Sequence, residues 1–126
     1  MSLKERVQRA FHARFNAAPT HLVRAPGRVN LIGEHTDYND GFVMPVAIDR
    51  TVWLALRPRT DRQVILDSLD FERGVAFDLD HFERAAAGWG EYVKGVAWAL
   101  QDQGYYLTGW EGVLAGDVPV LSLIHI

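Results

Sequence analysis

The sequence predicts an α+β fold. Strand-like segments follow one another in the middle of the chain, between two segments with helical spacing, and a last strand closes the order. Grouped strands with few helices are typical of α+β proteins rather than of doubly wound sheets. The 126 residues are 48% hydrophobic and 23% charged, which is ordinary globular composition. Folding a complete chain of this length would bury roughly two-thirds of its surface, enough for a core.

Charge and composition exclude several classes of protein. The net charge of −3 argues against a general nucleic-acid binder, and the absence of cysteine excludes disulfides and thiolate metal sites. No apolar stretch reaches the ~18 residues of a membrane span, and the N-terminus lacks the apolar run of a secretory signal. We therefore expect a soluble, cytoplasmic protein with neither nucleic acid nor membrane as a partner.

The first element is a helix predicted over Ser2 to Asn16. Ser2 and Glu5 have the spacing of a capping box, and Pro19 lies beyond the helix end, where a helix cannot easily continue. Its apolar residues recur at helical spacing and predict a buried stripe: Leu3, Val7, Ala10, Phe11 and Phe15.

The middle of the chain predicts strands. A short strand over His21 to Ala25 is expected to break at Pro26-Gly27, after which Val29, Leu31 and Ile32 resume an extended apolar pattern. A β-like segment over Phe42 to Ile48 is expected to break at Pro45. Alternating or apolar runs predict three more strands: Thr51 to Leu56, Val64 to Leu69 and Val75 to Leu79.

The C-terminal part predicts a helix and a strand. Helical spacing runs from Gly88 to Gln103, and Gly104 suits the helix stop. The predicted buried face of this helix comprises Trp89, Tyr92, Val93, Val96, Ala97 and Leu100. The last strand is expected over Trp110 to Val120.

A polar loop between Gly33 and Gly41 is the candidate site. Five groups that can ionise or hydrogen bond fall in or just before it: Arg28, Asn30, Glu34, His35 and Asp37. Carboxylates and an imidazole suit a polyhydroxyl ligand, because each sugar hydroxyl both donates and accepts. A solvated turn is the competing interpretation, since Gly, Asp, Asn and Thr favour turns for backbone reasons. Metal binding by Glu34, His35 and Asp37 is less favoured, because adjacent ligands converge poorly on one ion.

The segment from Ala25 to Gly41 closely resembles the galactokinase signature. The resemblance continues through 42–48, 89–100 and 112–119. It implies the first part of the N-terminal domain of a GHMP kinase, a ribosomal protein S5 domain 2-like fold with a mixed sheet and helices. It also implies transfer of the γ-phosphate of ATP to the C1 hydroxyl of galactose, with Mg²⁺. Glu34, His35 and Asp37 would then bind the sugar, and Arg28 would stabilise the transition state.

The resemblance ends at Pro119. Residues 1–119 are interpreted as a partial, sugar-binding N-terminal domain, and residues 120–126 as a foreign or truncated tail, because the family continues here into a glycine- and serine-rich phosphate loop. The phosphate loop and the catalytic base are absent from the sequence, so we expect this chain to be inactive alone. Two alternatives stay open: a related kinase for N-acetylgalactosamine or galacturonate, and a non-catalytic galactose sensor.

Overall fold

A computed structural model describes residues 2–33, 39–81 and 89–118. The described residues form two helices and one five-stranded mixed sheet, which confirms the α+β class. The sheet order is β1-β2-β5-β3-β4; β3 and β5 are parallel, and the other neighbours are antiparallel. No helix in these ranges is long and apolar enough to cross a membrane. In chain order the elements are α1 (Leu3–Phe15), β1 (His21–Ile32), β2 (Met44–Pro58), β3 (Gln63–Ser68), β4 (Arg73–Asp78), α2 (Gly90–Asp102) and β5 (Trp110–Gly116).

Helix α1 begins and ends where its sequence predicts. The Ser2 hydroxyl accepts a hydrogen bond from the Glu5 backbone N–H at 3.2 Å, and Asn16 closes the helix in the left-handed region at φ 53°. Val7 and Phe11 are fully buried against one face of the sheet, where they pack with Ala55, Val113 and Ala115. The stripe therefore forms the first of two cores.

Strands β1 and β2 are longer than the sequence predicts, and the expected breaks at Pro26-Gly27 and Pro45 are wrong. Pro26 stays in register opposite Thr51, and the irregularity that follows it shifts the pairing without ending the strand. Pro45 lies opposite Asn30, in a part of β2 that precedes the β5 pairing, which runs from Val52 to Pro58. A proline is tolerated there because β2 has a hydrogen-bonded neighbour on one side only.

Helix α2 packs on the opposite face of the sheet and forms the second core. Ala97 is buried with Val64, Phe77 and Leu79. The predicted buried face is wrong in part, because Tyr92 is 81% exposed and lies on the outside of the helix. Of the predicted stripe, only the edge that carries Val93 and Ala97 turns to the sheet.

The end of α2 is a Schellman motif, as the position of Gly104 predicts. Gly104 has φ 95°, and its N–H donates to the Gln101 carbonyl at 3.0 Å. The Tyr105 N–H donates to the Leu100 carbonyl at 3.1 Å. A left-handed residue at this place lets both donors turn back onto the last turn of the helix.

A buried carboxylate joins β2 to β5. Glu111 is 5% exposed and accepts from Arg57 Nε at 2.8 Å and from Arg59 Nη1 at 2.9 Å. Arg59 also donates to the exposed Asp61, and this hydrogen bond lowers the pKa of Asp61 to about 2. Because the pKa is lowered in the folded state, the ionised Asp61 stabilises the fold. This stabilisation is complete above its ordinary pKa of 3.8 and is lost as the pH falls toward 2.

Replacing Glu111 with Gln should lower the free energy of unfolding by about 2 kcal/mol, because a neutral amide would face two guanidinium groups that need a charged acceptor. Asp61→Asn removes a carboxylate from the same network at an exposed position, and we expect it to cost clearly less than Glu111→Gln, because solvent screens an exposed ion pair. Urea denaturation followed by circular dichroism measures both. Equal losses for the two variants would contradict the importance of burial at Glu111.

Candidate functional site

The candidate site lies at the end of a two-stranded ribbon. The second half of β1, from Arg28 to Ile32, pairs with Met44 to Ala47 of β2, beyond the part of β2 that pairs with β5. The ribbon leads into the polar loop at Gly33, whose φ of 96° is a conformation that glycine adopts easily. On the return side of the loop, Asp40 adopts φ 58°.

Glu34, His35 and Asp37 lie outside the described residues, so their role in sugar binding stays a prediction. The same holds for the alternative in which these three side chains hold a metal ion. Within the described part of the chain, no cluster of three or more His, Asp or Glu residues is arranged to hold a metal.

Arg28 lies on β1 opposite Ala47 and is exposed. Asn30, the other polar group that precedes the loop, lies two positions further along the strand and is half-buried. Alternate residues of a strand point to the same face, so Arg28 and Asn30 share one side of the ribbon. The structure therefore brings together two of the five predicted polar groups just before the loop.

A β-bulge immediately precedes Arg28. The pairing moves from Pro26–Thr51 to Arg28–Ala47, so three residues of β2 lie opposite the single Gly27. A Cβ atom added at Gly27 would lie 2.9 Å from Val118 Cγ2 and 3.3 Å from the Arg50 carbonyl oxygen. Glycine is needed here because Val118 and the Arg50 backbone approach position 27 too closely for a side chain.

The contact with Val118 places the end of β5 beside the bulge. Asp117, which follows β5, binds the backbone of Thr51 on β2: the Thr51 N–H donates to Asp117 Oδ1 at 2.7 Å, and the Asp117 N–H donates to the Thr51 carbonyl at 3.0 Å. Asp117 Oδ2 also lies 3.6 Å from Arg50 Nη1. The chain that leaves β5 is therefore hydrogen-bonded to Thr51, which lies opposite Pro26, two residues before Arg28 on β1.

A second aspartate secures the same strand end. The Gly116 N–H donates to Asp70 Oδ2 at 2.8 Å, from the turn between β3 and β4. Sequence reasoning missed Asp70 and Asp117. The one available signal was an aspartate directly after a strand glycine, a residue type that often binds nearby backbone N–H groups.

The described residues also line a separate apolar cavity. It has a volume of about 280 Å³ and lies at the other end of β2 from the bulge. Its lining is largely apolar, so it offers little to a sugar or a phosphate: Leu56, Pro58, Tyr106, Leu107, Thr108 and Trp110.

Comparison with known proteins identifies relatives of the chain. Residues 9–58, which include β1, the polar loop and β2, match the family described as the galactokinase galactose-binding signature. The chain is 50% identical over 109 residues to a galactokinase of Roseiflexus sp., and 50% identical over 111 residues to a galactokinase of Chloroflexus aggregans. These matches cover 86% and 87% of this chain but 28% of each relative. The chain thus spans less than a third of the proteins that it resembles.

Solved structures support the same relationship. A galactokinase of Lactococcus lactis, crystallised with galactose, matches with a TM-score of 0.75 and 36% identity over 89% of this chain and 30% of that one. A mevalonate kinase of Methanococcus jannaschii matches with a TM-score of 0.59 and 19% identity, over 79% of this chain and 33% of the other. The second likeness is one of fold alone.

Gly27→Ala should destabilise the fold by about 1–3 kcal/mol, because the added methyl group meets Val118 and the Arg50 carbonyl. Gly95→Ala is the matched control, since its Cβ would meet no atom within 4 Å and lies in α2. We expect Gly95→Ala to be neutral or to stabilise by up to about 1 kcal/mol. Thermal and urea unfolding of the two variants test this. If both glycines tolerate alanine equally, β5 does not approach the bulge as described.

Proposed function

Because this chain is a segment of the galactokinase family, we propose that it forms part of an enzyme that phosphorylates galactose at the C1 hydroxyl with ATP. The observation that carries the proposal is the galactokinase galactose-binding signature over residues 9–58, which contains the candidate site. The expected product is galactose 1-phosphate. The rest of the catalytic machinery would lie in the part of such a protein that this segment does not span.

Arg28 is proposed to stabilise charge that develops during phosphoryl transfer. Its side chain is exposed on β1, one residue after the bulge that contacts the end of β5. Phosphoryl transfer depends mainly on positioning and on neutralising negative charge. A guanidinium that is always charged and carries a planar set of donors suits this task.

The polar loop is proposed to recognise the sugar. Carboxylates at Glu34 and Asp37 can accept hydrogen bonds from hydroxyl groups, and His35 can donate or accept. Such groups discriminate strongly between sugars, because a hydroxyl of the wrong configuration leaves a desolvated carboxylate without a partner. The L. lactis galactokinase was crystallised with galactose, which supports galactose as the first sugar to test.

No residue of this chain is assigned to Mg²⁺ or to ATP. The described residues contain no cluster that could hold a metal, and the sequence has no glycine-rich phosphate loop of the P-loop or dinucleotide-binding type. Mg-ATP is expected to supply the phosphoryl group in the complete enzyme, through residues outside this chain.

Arg28→Ala should lower kcat by about 10³-fold and change the galactose KM little, because its charge acts mainly on the transition state. The test uses a hybrid in which residues 2–118 of this chain replace the matching segment of the Roseiflexus galactokinase. Arg24→Ala, another exposed arginine of β1, is the control and should keep kcat. A normal kcat with a raised galactose KM in the Arg28 variant would refute the assignment.

Asp37→Ala in the same hybrid should instead raise the galactose KM by about 10- to 100-fold, the loss expected for one charged hydrogen bond. Asp40→Asn removes a neighbouring loop carboxylate that the family resemblance does not assign to the sugar, and should leave KM nearly unchanged. Competition with N-acetylgalactosamine and galacturonate shows whether sugar choice has broadened. A hybrid that binds galactose without ATP-dependent turnover would favour the sensor alternative.

The 126-residue chain expressed alone should form no galactose 1-phosphate from galactose and ATP, since it spans only 28% of the length of its galactokinase relatives. A coupled assay for ADP release, with the Roseiflexus enzyme as the positive control, measures this. Turnover by a purified sample of the chain would overturn the division of roles proposed above.

A further inference from the structure

Arg28 follows an interruption in the pairing of β1 with β2. Three residues of β2 lie opposite Gly27, so the regular pairing stops at Pro26 and resumes at Arg28. A strand that is paired at every position takes its place from the ladder, whereas a bulge leaves a residue unpaired and bends the strand. The position of the Arg28 guanidinium therefore depends on what packs against the bulge.

The segment after β5 packs against this bulge. A Cβ added at Gly27 would lie 2.9 Å from Val118 Cγ2 and 3.3 Å from Ile48 Cδ1. Gly27 and Val118 are both half-buried. Ile48 belongs to β2, but Val118 lies two residues beyond the end of β5. The contact with Val118 therefore depends on how the chain turns after Gly116.

Asp117 directs the chain at this turn. The last pair between β2 and β5 is Val52 with Gly116, so Thr51 and Asp117 would form the next one. In a regular antiparallel ladder, two residues in that position exchange both hydrogen bonds through their backbones. Here the Asp117 N–H donates to the Thr51 carbonyl at 3.0 Å, but the Thr51 N–H donates to the Asp117 carboxylate at 2.7 Å. Because the carboxylate accepts in place of the backbone carbonyl, the chain can leave the direction of β5 and bring its next residue against the bulge.

A second carboxylate extends the hydrogen bonding on the other side of β5. The parallel pairing of β3 with β5 ends at Ser68 and Leu114. Two residues further along β5, the Gly116 N–H donates to Asp70 Oδ2 at 2.8 Å. Each side of β5 therefore gains a hydrogen bond to an aspartate where the pairing of strands ends. The end of β5 is held on both sides immediately before Val118.

We propose that Asp117 is a positioning residue for Arg28. Its carboxylate turns the chain after β5, so that Val118 packs on Gly27. The packed bulge then fixes the start of the strand segment that carries the guanidinium. This inference rests on the proposed function, in which Arg28 stabilises charge during phosphoryl transfer. A displacement of about 1 Å matters for such a group, because a misplacement of that size can lower a rate about 100-fold.

The hydrogen bond of Asp117 carries this role, rather than its charge. Asp117 Oδ2 lies 3.6 Å from Arg50 Nη1, but the two side chains are 41% and 60% exposed. Ion pairs between exposed groups contribute little. Asparagine keeps a side-chain oxygen that can accept from the Thr51 N–H, whereas alanine removes it. The two substitutions therefore separate the hydrogen bond from the charge.

A double-mutant cycle tests the proposal in the hybrid with the Roseiflexus galactokinase. Asp117→Ala should lower kcat about 10- to 100-fold with little change in the galactose KM, whereas Asp117→Asn should keep kcat within about threefold. In the Arg28→Ala background, Asp117→Ala should lower kcat by no more than about twofold, because there is no guanidinium left to misplace. Urea unfolding of each variant shows that the assays compare folded proteins.

Asp80→Ala is the matched control. Asp80 pairs with Arg62 just before β3, at the opposite end of the sheet from Asp117 because β3 and β5 are parallel. Its removal should leave kcat unchanged, both in the hybrid and in the Arg28→Ala background. If Asp117→Ala leaves the hybrid unfolded, Val118→Ala takes its place in the cycle, since it removes the contact with Gly27 and keeps the hydrogen bonds of Asp117.

The results distinguish this inference from the proposed function. A normal kcat in Arg28→Ala would refute the role of Arg28, and the inference would fall with it. If Arg28→Ala is slow but Asp117→Ala is not, the inference alone is wrong. It is also wrong if the two losses multiply in the double variant, because a general loss of stability would act equally in both backgrounds. An Asp117→Asn variant as slow as Asp117→Ala would overturn the role of the hydrogen bond.

Discussion

The register of β2 against both of its neighbours is the constraint on which the rest of the structure depends. From Val52 to Leu56 the strand pairs with β1 on one edge and β5 on the other, and this two-sided part carries Ala55 in the core beneath α1. From Met44 to Ala47 it pairs with β1 alone and carries the ribbon that ends in the polar loop. The core and the candidate site therefore lie at opposite ends of β2. A shift of one residue in its pairing register would turn the buried side chains of β2 to the wrong face.

The bulge at Gly27 separates these two ends. It lets the ribbon change register without disturbing the pairs that hold the core, and it brings Val118, two residues after β5, against β1. Asp117 then fixes that junction through the backbone of Thr51 rather than through a side chain. A backbone contact of this kind holds a chain direction whatever the side chain at position 51, which suits a place where a further segment must start at a defined angle.

Local signals in the sequence predict local structure well. The cap at Ser2, the left-handed stop at Gly104 and the strands β3 and β4 each depend on residues within a few positions, and each is present. The contact between Thr51 and Asp117 depends on residues 66 positions apart, and no periodicity can reveal it. The expected strand breaks at Pro26 and Pro45 are wrong for the same reason. Whether a proline ends a strand depends on which neighbour lies beside it, and only the sheet order shows that.

Helix α2 shows a different limit of prediction from the sequence. Its spacing predicts an apolar stripe, and the stripe exists, but the pattern cannot tell how many elements share it. Val93 and Ala97 meet the sheet, whereas Tyr92 is exposed in the described residues. The chemistry of the polar loop came from the family resemblance, because spacing alone could not separate a sugar site from a solvated turn. Arg28 has a defined place on β1, while Glu34, His35 and Asp37 lie outside the described residues.

The placement of Pro26 has a consequence for how this sheet meets other molecules. In the sheet that the described residues form, β1 is an outer strand, and such a strand offers unpaired backbone groups on which another chain can assemble. Thr51 directs both its N–H and its carbonyl toward Asp117, away from β1, so its partner Pro26 turns its own nitrogen outward. That nitrogen carries no hydrogen. An incoming strand would therefore miss a backbone hydrogen bond midway along β1. Pro26 thus protects this edge of the sheet against amyloid-like growth.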